Sequence, residues 1–247
     1  MSTPASAVDR GPAAPTRSMT WRALAFYAVC RAIAVGASRL WYPGTVTGRE
    51  NLPRSGSYIL APVHRSNVDW LVVARVTRRR LRYLVKGEVW RVKSVGRLLE
   101  LLGTFPVRRG TADREALARA AEVLASGEPL VMFPEGTRGS GPVVGELRAG
   151  AAYLALRAGV PVVPVGVSGL ERSMPRGAKF PRPVFVRVVV GAPILPGEAE
   201  VDRRGRQRVS RASIDAMSDE VRAGIQAAFS EAEAPSRGHR RGPVPGP

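Results

Sequence analysis

The sequence predicts an α/β fold: a single layered domain with a mostly parallel central sheet flanked by helices, preceded by one separate N-terminal helix. From Gly44 onward, short apolar runs of strand length alternate with segments of helical periodicity. Such alternation favours strands that pair in parallel between covering helices. The apolar segment 19–42 precedes this pattern and is long enough to form a helix of its own.

The predicted elements follow one another with short connections. Strands are expected at 57–63, 81–86, 104–107, 129–133, 160–169 and 184–191. Helices are expected at 68–76, 88–103, 112–126, 146–159 and 207–231. The 160–169 strand contains Pro161 and Pro164. Because proline cannot donate a hydrogen bond to a sheet, this strand is expected at an edge or beside a ligand.

The two chain ends differ in composition from the rest. Residues 1–17 are small, contain proline and lack periodicity, and no cationic segment precedes an apolar run. They are predicted to be a disordered leader rather than a signal peptide. Residues 232–247 are rich in proline, glycine and arginine, which predicts a disordered basic tail. The N-terminal helix then occupies 18–43 and the folded domain 44–231.

Residues 19–42 form the most apolar long segment of the chain. A membrane-spanning helix needs about 20 apolar residues, yet Arg31 lies near the middle of this segment and Arg39 follows. Its aromatic side chains suit the lipid headgroup boundary: Trp21, Phe26, Tyr27, Trp41 and Tyr42. The pattern favours a helix that lies in a membrane interface. Packing in a protein core and a true membrane span are the alternatives.

The composition bounds the partners and the chemistry. The chain carries 38 Lys+Arg against 20 Asp+Glu, a formal net charge of +18, which attracts nucleic acid, anionic lipid or phosphorylated substrates. Its single cysteine, Cys30, excludes an internal disulfide and a metal site built from several thiolates. Two histidines exclude a multi-histidine metal centre. These counts fit a reducing, cytosolic setting, and no metal is expected.

His64 and Asp69 form the first candidate site, directly after the 57–63 strand. A histidine at the carboxyl end of a strand lies where α/β sheets bind ligands. An acid five residues later, at the start of a helix, can accept the ring N–H, fix the tautomer and leave the other nitrogen free as a base. The alternative is structural, because the spacing of Ser66 and Asp69 also fits a helix capping box.

Three further segments are candidates. Phe-Pro-Glu-Gly-Thr-Arg at 133–138 offers backbone amides and Arg138 to an anion such as phosphate, or is a plain turn. Gly-Thr-Phe-Pro-Val-Arg-Arg-Gly at 103–110 has adjacent arginines, which suit a phosphate clamp or a solvated surface. Val-Pro-Val-Val-Pro-Val at 160–165 is a rigid edge strand or part of a ligand site.

In this order the four segments resemble the four motifs of the glycerolipid acyltransferase family, the 1-acylglycerol-3-phosphate (lysophosphatidic acid) acyltransferases. The resemblance covers about residues 45–195. It implies an O-acyltransferase of phospholipid biosynthesis. Such an enzyme moves a fatty acyl group from acyl-CoA or acyl-carrier protein to the free hydroxyl of 1-acylglycerol-3-phosphate, giving phosphatidic acid. No cofactor is implied beyond this acyl donor.

The resemblance also implies roles for individual residues. His64 corresponds to the general base and Asp69 to its partner. Arg109, rather than its neighbour Arg108, corresponds to the arginine of the second motif. The other residues implied in substrate binding are Glu135, Gly136, Thr137 and Arg138, around the phosphate of the acceptor, and Pro164, in the wall formed by the fourth motif.

This sequence departs from the family pattern at two places. Pro106 replaces an apolar or aromatic residue of the second motif, and residues 139–148 lack the Phe-Lys-like pair that often ends this loop. The second departure bears on the headgroup of the acceptor, so the same chemistry on another lipid acceptor is the alternative function. The N-terminal helix fits the family's membrane anchors, which implies a peripheral location on the cytoplasmic face of the cell membrane.

A nucleic-acid-binding protein is the alternative from another class, since it would also explain the positive charge. The arginine-rich stretches at 78–82 and 203–211 lack interleaved aromatic residues, and the sequence has no helix-turn-helix or RNA-binding signature. The expected macromolecular partner is therefore an anionic membrane surface, with no nucleic acid.

Overall fold

The structure is a computed structural model that describes residues 21–86, 104–107, 114–174, 180–197, 200–201 and 207–234. The predicted leader 1–17, the predicted helix 88–103 and the tail beyond residue 234 lie outside these ranges, and so does Arg109.

The helices of the described residues are α1 Trp21–Trp41, α2 Asp69–Val73, α3 Arg114–Ala125, α4 Gly150–Ala158, α5 Leu170–Ser173 and α6 Arg211–Glu233. A 3-10 helix occupies Arg49–Asn51. The strands are β1 Gly44–Thr47, β2 Ile59–Pro62, β3 Arg82–Lys86, β4 Thr104–Val107, β5 Leu130–Val131, β6 Val162–Ser168, β7 Val186–Val190, β8 Glu200–Val201 and β9 Gln207–Arg208. Helix α6 continues to Glu233, two residues into the segment predicted as tail.

Seven strands form one sheet in the order β1-β7-β6-β2-β5-β3-β4. Every pairing in this sheet is parallel except that of β6 with β7. Strands β8 and β9 form a separate antiparallel pair. Parallel strands are covered on both faces, which explains why β2 and β6 are almost continuously buried apolar runs. The predicted α/β fold with a mostly parallel sheet is confirmed.

Strand β6 is an interior strand, so the prediction of an edge position for residues 160–169 is wrong. It pairs with β2 on one side and with β7 on the other. Pro164 cannot donate to a neighbouring strand, but its carbonyl accepts the Gly191 N–H at 2.9 Å. Its ring lies where Gly191 and Gly224 have no side chain, since a Cβ on Gly224 would lie 3.1 Å from the Pro164 Cγ.

Helix α6 packs closely across β6 and closes one face of the sheet. Its buried side chains repeat at helical spacing and include the predicted Met217, Val221 and Ile225. The close approach depends on Gly166 of β6, because a Cβ there would lie 2.1 Å from the Ala228 carbonyl oxygen. This packing fixes α6 beside the carboxyl end of β2, which is where the candidate site lies.

Helix α1 is fastened to the domain by two arginines. Arg31 of α1 donates to the carbonyls of Ala74 and Thr77, just after α2, and the Ala74 bond is 2.9 Å long. In return, Arg75 donates to the carbonyls of Ser38 and Tyr42 at the end of α1 and to the Ser38 hydroxyl. Burial lowers the pKa of Arg75 to about 10, which leaves it charged at neutral pH. Arg31 and Ser38 of α1 therefore face the protein.

The opposite side of α1 is apolar and exposed. Ile33 is 67% exposed and Leu40 87%, and further exposed apolar residues are Trp21, Leu24, Phe26, Val29 and Trp41. By length and composition, Leu24–Trp41 is apolar enough to cross a membrane, and 17% of that window is buried in the protein. A core-packing helix, one of the alternatives for this segment, does not fit such exposure.

Candidate active site

His64 lies two residues after β2, at the carboxyl end of the sheet. Its Nδ1 lies 2.9 Å from Oδ2 of Asp69, the first residue of α2. Because a carboxylate only accepts hydrogen bonds, Nδ1 carries the proton and Nε2 keeps its lone pair. Nε2 has no hydrogen-bond partner among the described residues, and the His64 side chain is 22% exposed. The geometry thus leaves one imidazole nitrogen available to a ligand.

The buried Asp69 carboxylate organises the whole turn between β2 and α2. Its Oδ2 also accepts the backbone N–H of Arg65 at 2.7 Å and of Ser66 at 2.8 Å. The Ser66 bond is the half of a capping box that the sequence indicated, while the Ser66 hydroxyl has no partner among the described residues. One oxygen therefore stabilises the turn and orients His64, so the two interpretations of Asp69 are compatible.

Phe133 covers one face of the His64 ring. The two ring centroids lie 4.4 Å apart with planes tilted by 36°. Phe133 follows β5, which is the parallel neighbour of β2, so the exits of the two strands meet at one edge of the sheet. This places the segments 64–69 and 133–138 together.

Glu135 and Arg65 form a buried ion pair behind His64. Arg65 Nη1 lies 2.9 Å from Glu135 Oε1, and the two side chains are 2% and 5% exposed. Glu135 Oε2 accepts the backbone N–H of His64 at 2.8 Å, and its Oε1 accepts that of Gly145 at 3.1 Å. The structure places Glu135, which the sequence predicted to bind substrate, among protein donors.

The loop 139–145 is held against this ion pair and against α6. Arg65 Nη2 donates to the Val143 carbonyl at 3.0 Å. Gln226 of α6 accepts the Val144 N–H at 2.7 Å and donates to the Pro142 carbonyl at 3.0 Å. This loop, which departs from the family pattern, therefore has a defined position beside the His64 turn.

The turn formed by Gly136, Thr137 and Arg138 is open to solvent. Gly136 has φ of +66°, a conformation that glycine adopts without strain. A Cβ on Gly136 would lie 2.3 Å from Nε of Arg148, so the Arg148 side chain lies directly against this turn. Arg138 is half-buried and makes no ion pair or hydrogen bond within the part of the chain that the structure describes. Two guanidinium groups thus belong to the open turn.

The remaining predicted site residues divide into two cases. Pro164 is buried in β6, with its ring toward Gly191 and Gly224, and contacts the packing face of α6. Arg109 lies outside the described residues. Within the described ranges, no group of three or more His, Cys, Asp or Glu side chains could hold a metal ion.

Sequence reasoning missed three side chains of this region: Arg65, Arg148 and Gln226. Arg65 carries no distinguishing signal in a chain so rich in arginine. Gln226 lies 82 residues from its partner Val144, so only the packing of α6 reveals its role. Arg148 follows the apolar Leu147, and these two residues are the one sequence signal that could have been read as a counterpart of the Phe-Lys-like pair absent from the 139–148 loop.

Two named relatives are similar to parts of this chain. The 1-acyl-sn-glycerol-3-phosphate acyltransferase BAT2 of Brassica napus chloroplasts is 27% identical over 165 residues, which are 65% of this chain and 48% of that protein. The chain thus spans about half the length of this relative. A lyso-ornithine lipid O-acyltransferase of Pseudomonas aeruginosa is 38% identical over 96 residues, 38% of this chain and 37% of that protein.

A solved structure and a family model also match this chain. The crystal structure of the 1-acyl-sn-glycerophosphate acyltransferase PlsC from Thermotoga maritima superposes with a TM-score of 0.68 at 22% identity, covering 89% of this chain and 86% of that one. This likeness shows that the fold is shared. The Acyltransferase family model matches residues 44–168, which include the strand exits that carry His64, Asp69 and the 133–138 turn. The chain belongs to the Acyltransferase family.

Proposed function

We propose that the protein transfers a fatty acyl group from acyl-CoA or acyl-carrier protein to the free hydroxyl of 1-acylglycerol-3-phosphate, giving phosphatidic acid. The observation that carries the proposal is the His64–Asp69 pair, with 2.9 Å between Nδ1 and Oδ2 and a free Nε2. Family membership and the names of the relatives point to the same reaction class.

In this mechanism His64 is the general base. Its Nε2 takes the proton of the acceptor hydroxyl while the hydroxyl oxygen attacks the carbonyl carbon of the thioester. The C–S bond then breaks, and the thiolate leaves with the electron pair and takes the proton from the His64 imidazolium, which returns the base to its neutral form. Asp69 holds the imidazole in the productive tautomer and stabilises the imidazolium through its negative charge. No acyl-enzyme intermediate is needed, since the hydroxyl attacks directly.

The phosphate of the acceptor is assigned to the open turn at 136–138. The Arg138 guanidinium makes no ion pair or hydrogen bond within the described chain, and Arg148 lies against Gly136 at the same turn. Guanidinium groups bind phosphate through two parallel hydrogen bonds, which also fix its orientation. Arg109 is a further candidate, from the second motif. Their role is to position the acceptor rather than to take part in bond breaking.

Attachment to the cytoplasmic face of the cell membrane is part of the proposal. Helix α1 turns Arg31 and Ser38 toward the domain and its apolar residues away from it. An apolar face with this exposure is stabilised by insertion into the interfacial region of a bilayer, while the net charge of +18 favours anionic lipids. Such attachment presents the enzyme to its lipid acceptor.

Mass spectrometry of the purified protein with a panel of lysolipids and acyl donors tests the proposed function. We expect phosphatidic acid from lysophosphatidic acid, and no product with the His64→Ala variant. His239→Ala is the matched control, since it removes the other histidine of the chain, and it should retain full activity. Lack of acylation of lysophosphatidic acid by the wild-type protein, with any donor, would contradict the proposal.

Another lipid acceptor is the second candidate, and one relative favours it. The 38% identity to a lyso-ornithine lipid O-acyltransferase covers only part of each chain, yet it exceeds the identity to the chloroplast relative. The 139–148 loop, which lies beside the site, departs from the family pattern. Acylation of lyso-ornithine lipid but not of lysophosphatidic acid in the same panel would select this candidate.

A further inference from the structure

We propose that Glu135 is a positioning residue for His64, acting through the His64 peptide N–H and through Arg65, and is not a ligand of the acceptor. The inference rests on the proposed function in taking His64 as the base. It concerns a carboxylate that the mechanism above leaves unused.

The surroundings of Glu135 are those of a structural carboxylate. Its Oε2 accepts from the His64 N–H at 2.8 Å and from Arg65 Nη1 at 3.1 Å. Its Oε1 accepts from the same Nη1 at 2.9 Å and from the Gly145 N–H at 3.1 Å. The side chain is 5% exposed, so little of it can meet a ligand. A phosphate beside it would also meet a like charge.

Two carboxylates hold His64 at different points. Asp69 fixes the ring through Nδ1, and Glu135 fixes the main chain through the peptide N–H. Because the backbone at residue 64 sets where the ring begins, the position of Nε2 depends on both bonds. Phe133, two residues before Glu135, covers the ring face. The β5 exit thus supports His64 at the ring face and at the peptide N–H, in addition to Asp69 of α2.

Arg65 completes this support. It is itself buried, pairs with Glu135, donates to the carbonyls of His64 and Val143, and lies 4.9 Å over the Phe229 ring of α6. Within a buried ion pair held by several hydrogen bonds the two charges compensate each other, whereas a single partner left alone is an unpaired buried charge. The pair therefore joins the His64 turn, the 139–145 loop and α6.

A role confined to the loop is distinguishable from this proposal. Gln226 holds the same loop at Val144 and Pro142, and among the described residues no hydrogen bond joins it to His64 or Glu135. If Glu135 acted only by ordering the loop, Gln226→Ala would reproduce its loss. If Glu135 positions His64, the two changes have different effects.

The decisive variant is the double change Arg65→Met/Glu135→Met, which removes both charges together and leaves neither unpaired. Arg80→Met/Glu128→Met is the control for removing an ion pair away from the site: this pair of 3.1 Å lies at the amino ends of β3 and β5, and its Glu128 also lies 3.7 Å from Arg82. Gln226→Ala is the loop control. Each protein is assayed for kcat and for KM with lysophosphatidic acid. In a His239→Gln background, imidazole NMR then reports His64 alone.

We expect kcat of the double variant to fall about 10- to 100-fold, the scale of a misplacement near 1 Å, with KM within about twofold. Displacement of the backbone at residue 64 should also break the bond from Nδ1 to Asp69, so the His64 imidazole should lose its single Nδ1–H tautomer. Both control proteins should keep kcat within about twofold and keep the tautomer.

A rise in KM at unchanged kcat, an equal loss in Gln226→Ala, or no change at all would overturn the proposal. If the double variant does not fold, the single variant Glu135→Gln decides by the same split between kcat and KM. If the wild-type protein does not acylate lysophosphatidic acid, the proposed function fails. The comparison of the His64 tautomer between the wild-type protein and the double variant then decides alone. Loss of the Nδ1–H tautomer in the double variant supports the positioning role, and its retention contradicts that role.

Discussion

Replacing Asp69 by asparagine removes one negative charge and almost no shape. In the structure, Oδ2 of Asp69 lies 2.9 Å from His64 Nδ1, and the carboxylate is fully buried. At an effective dielectric constant near 20, unit charges about 4 Å apart interact by about 4 kcal/mol. Losing this support for the imidazolium that forms in the transition state corresponds to about a 10³-fold lower kcat.

The fold of this variant is expected to survive. An asparagine oxygen can still accept the N–H groups of Arg65 and Ser66, which the carboxylate accepts at 2.7 and 2.8 Å. Ser66→Ala is the control for disturbance of the turn, because it keeps the peptide N–H and removes only the hydroxyl, and it should retain activity. Steady-state kinetics with thermal unfolding check both variants. An Asp69→Asn enzyme that keeps more than a tenth of wild-type kcat would refute the reasoning.

Three further predictions concern the acceptor, the membrane and the turn. Arg138→Ala, and likewise Arg109→Ala, should lower kcat/KM toward the phosphorylated acceptor about 10- to 100-fold, since a charge-assisted hydrogen bond contributes about 1.5–3 kcal/mol. An equal loss with an acceptor that lacks the phosphate would contradict a role of these arginines in phosphate binding. The protein should bind anionic vesicles but not a mixed DNA/RNA column. It should also be released from membranes by high-salt and carbonate washes, and its retention in the membrane pellet after these washes would contradict peripheral attachment. Gly136→Ala should lower the free energy of unfolding by about 1–2 kcal/mol, because φ of +66° strains an L side chain, and it should also displace Arg148. Calorimetry measures the loss of stability, and the KM for the acceptor measures the effect of displacing Arg148. An unchanged midpoint of thermal unfolding would contradict this prediction.

The parts of the site that are local in sequence could be predicted. His64 and Asp69 are five residues apart, and a strand exit followed by a helix start brings them together by local geometry alone. The parallel sheet followed from apolar runs alternating with helical segments. The sequence offered a turn as one interpretation of 133–138, and Gly136 there has φ of +66°.

The parts that depend on long-range packing could not. The ion pair of Arg65 and Glu135 joins residues 70 apart, and nothing in the sequence distinguishes Arg65 from the other arginines. Arg31 suggested a helix interrupted by an exposed cation, yet the structure turns it to the carbonyls of Ala74 and Thr77. The prolines of β6 suggested an edge strand, but the space left by Gly191 and Gly224 accommodates Pro164 in the sheet interior.

The central claim is that His64 acts as the base, and single-turnover kinetics of the His64→Ala variant with lysophosphatidic acid and an acyl donor test it most directly. His64 has no histidine neighbour in the described chain that could replace it. A positioned general base contributes about 10²–10⁴-fold, so the rate of acyl transfer should fall by that factor while acceptor binding is unchanged. A variant that transfers the acyl group at more than a tenth of the wild-type rate would contradict the account.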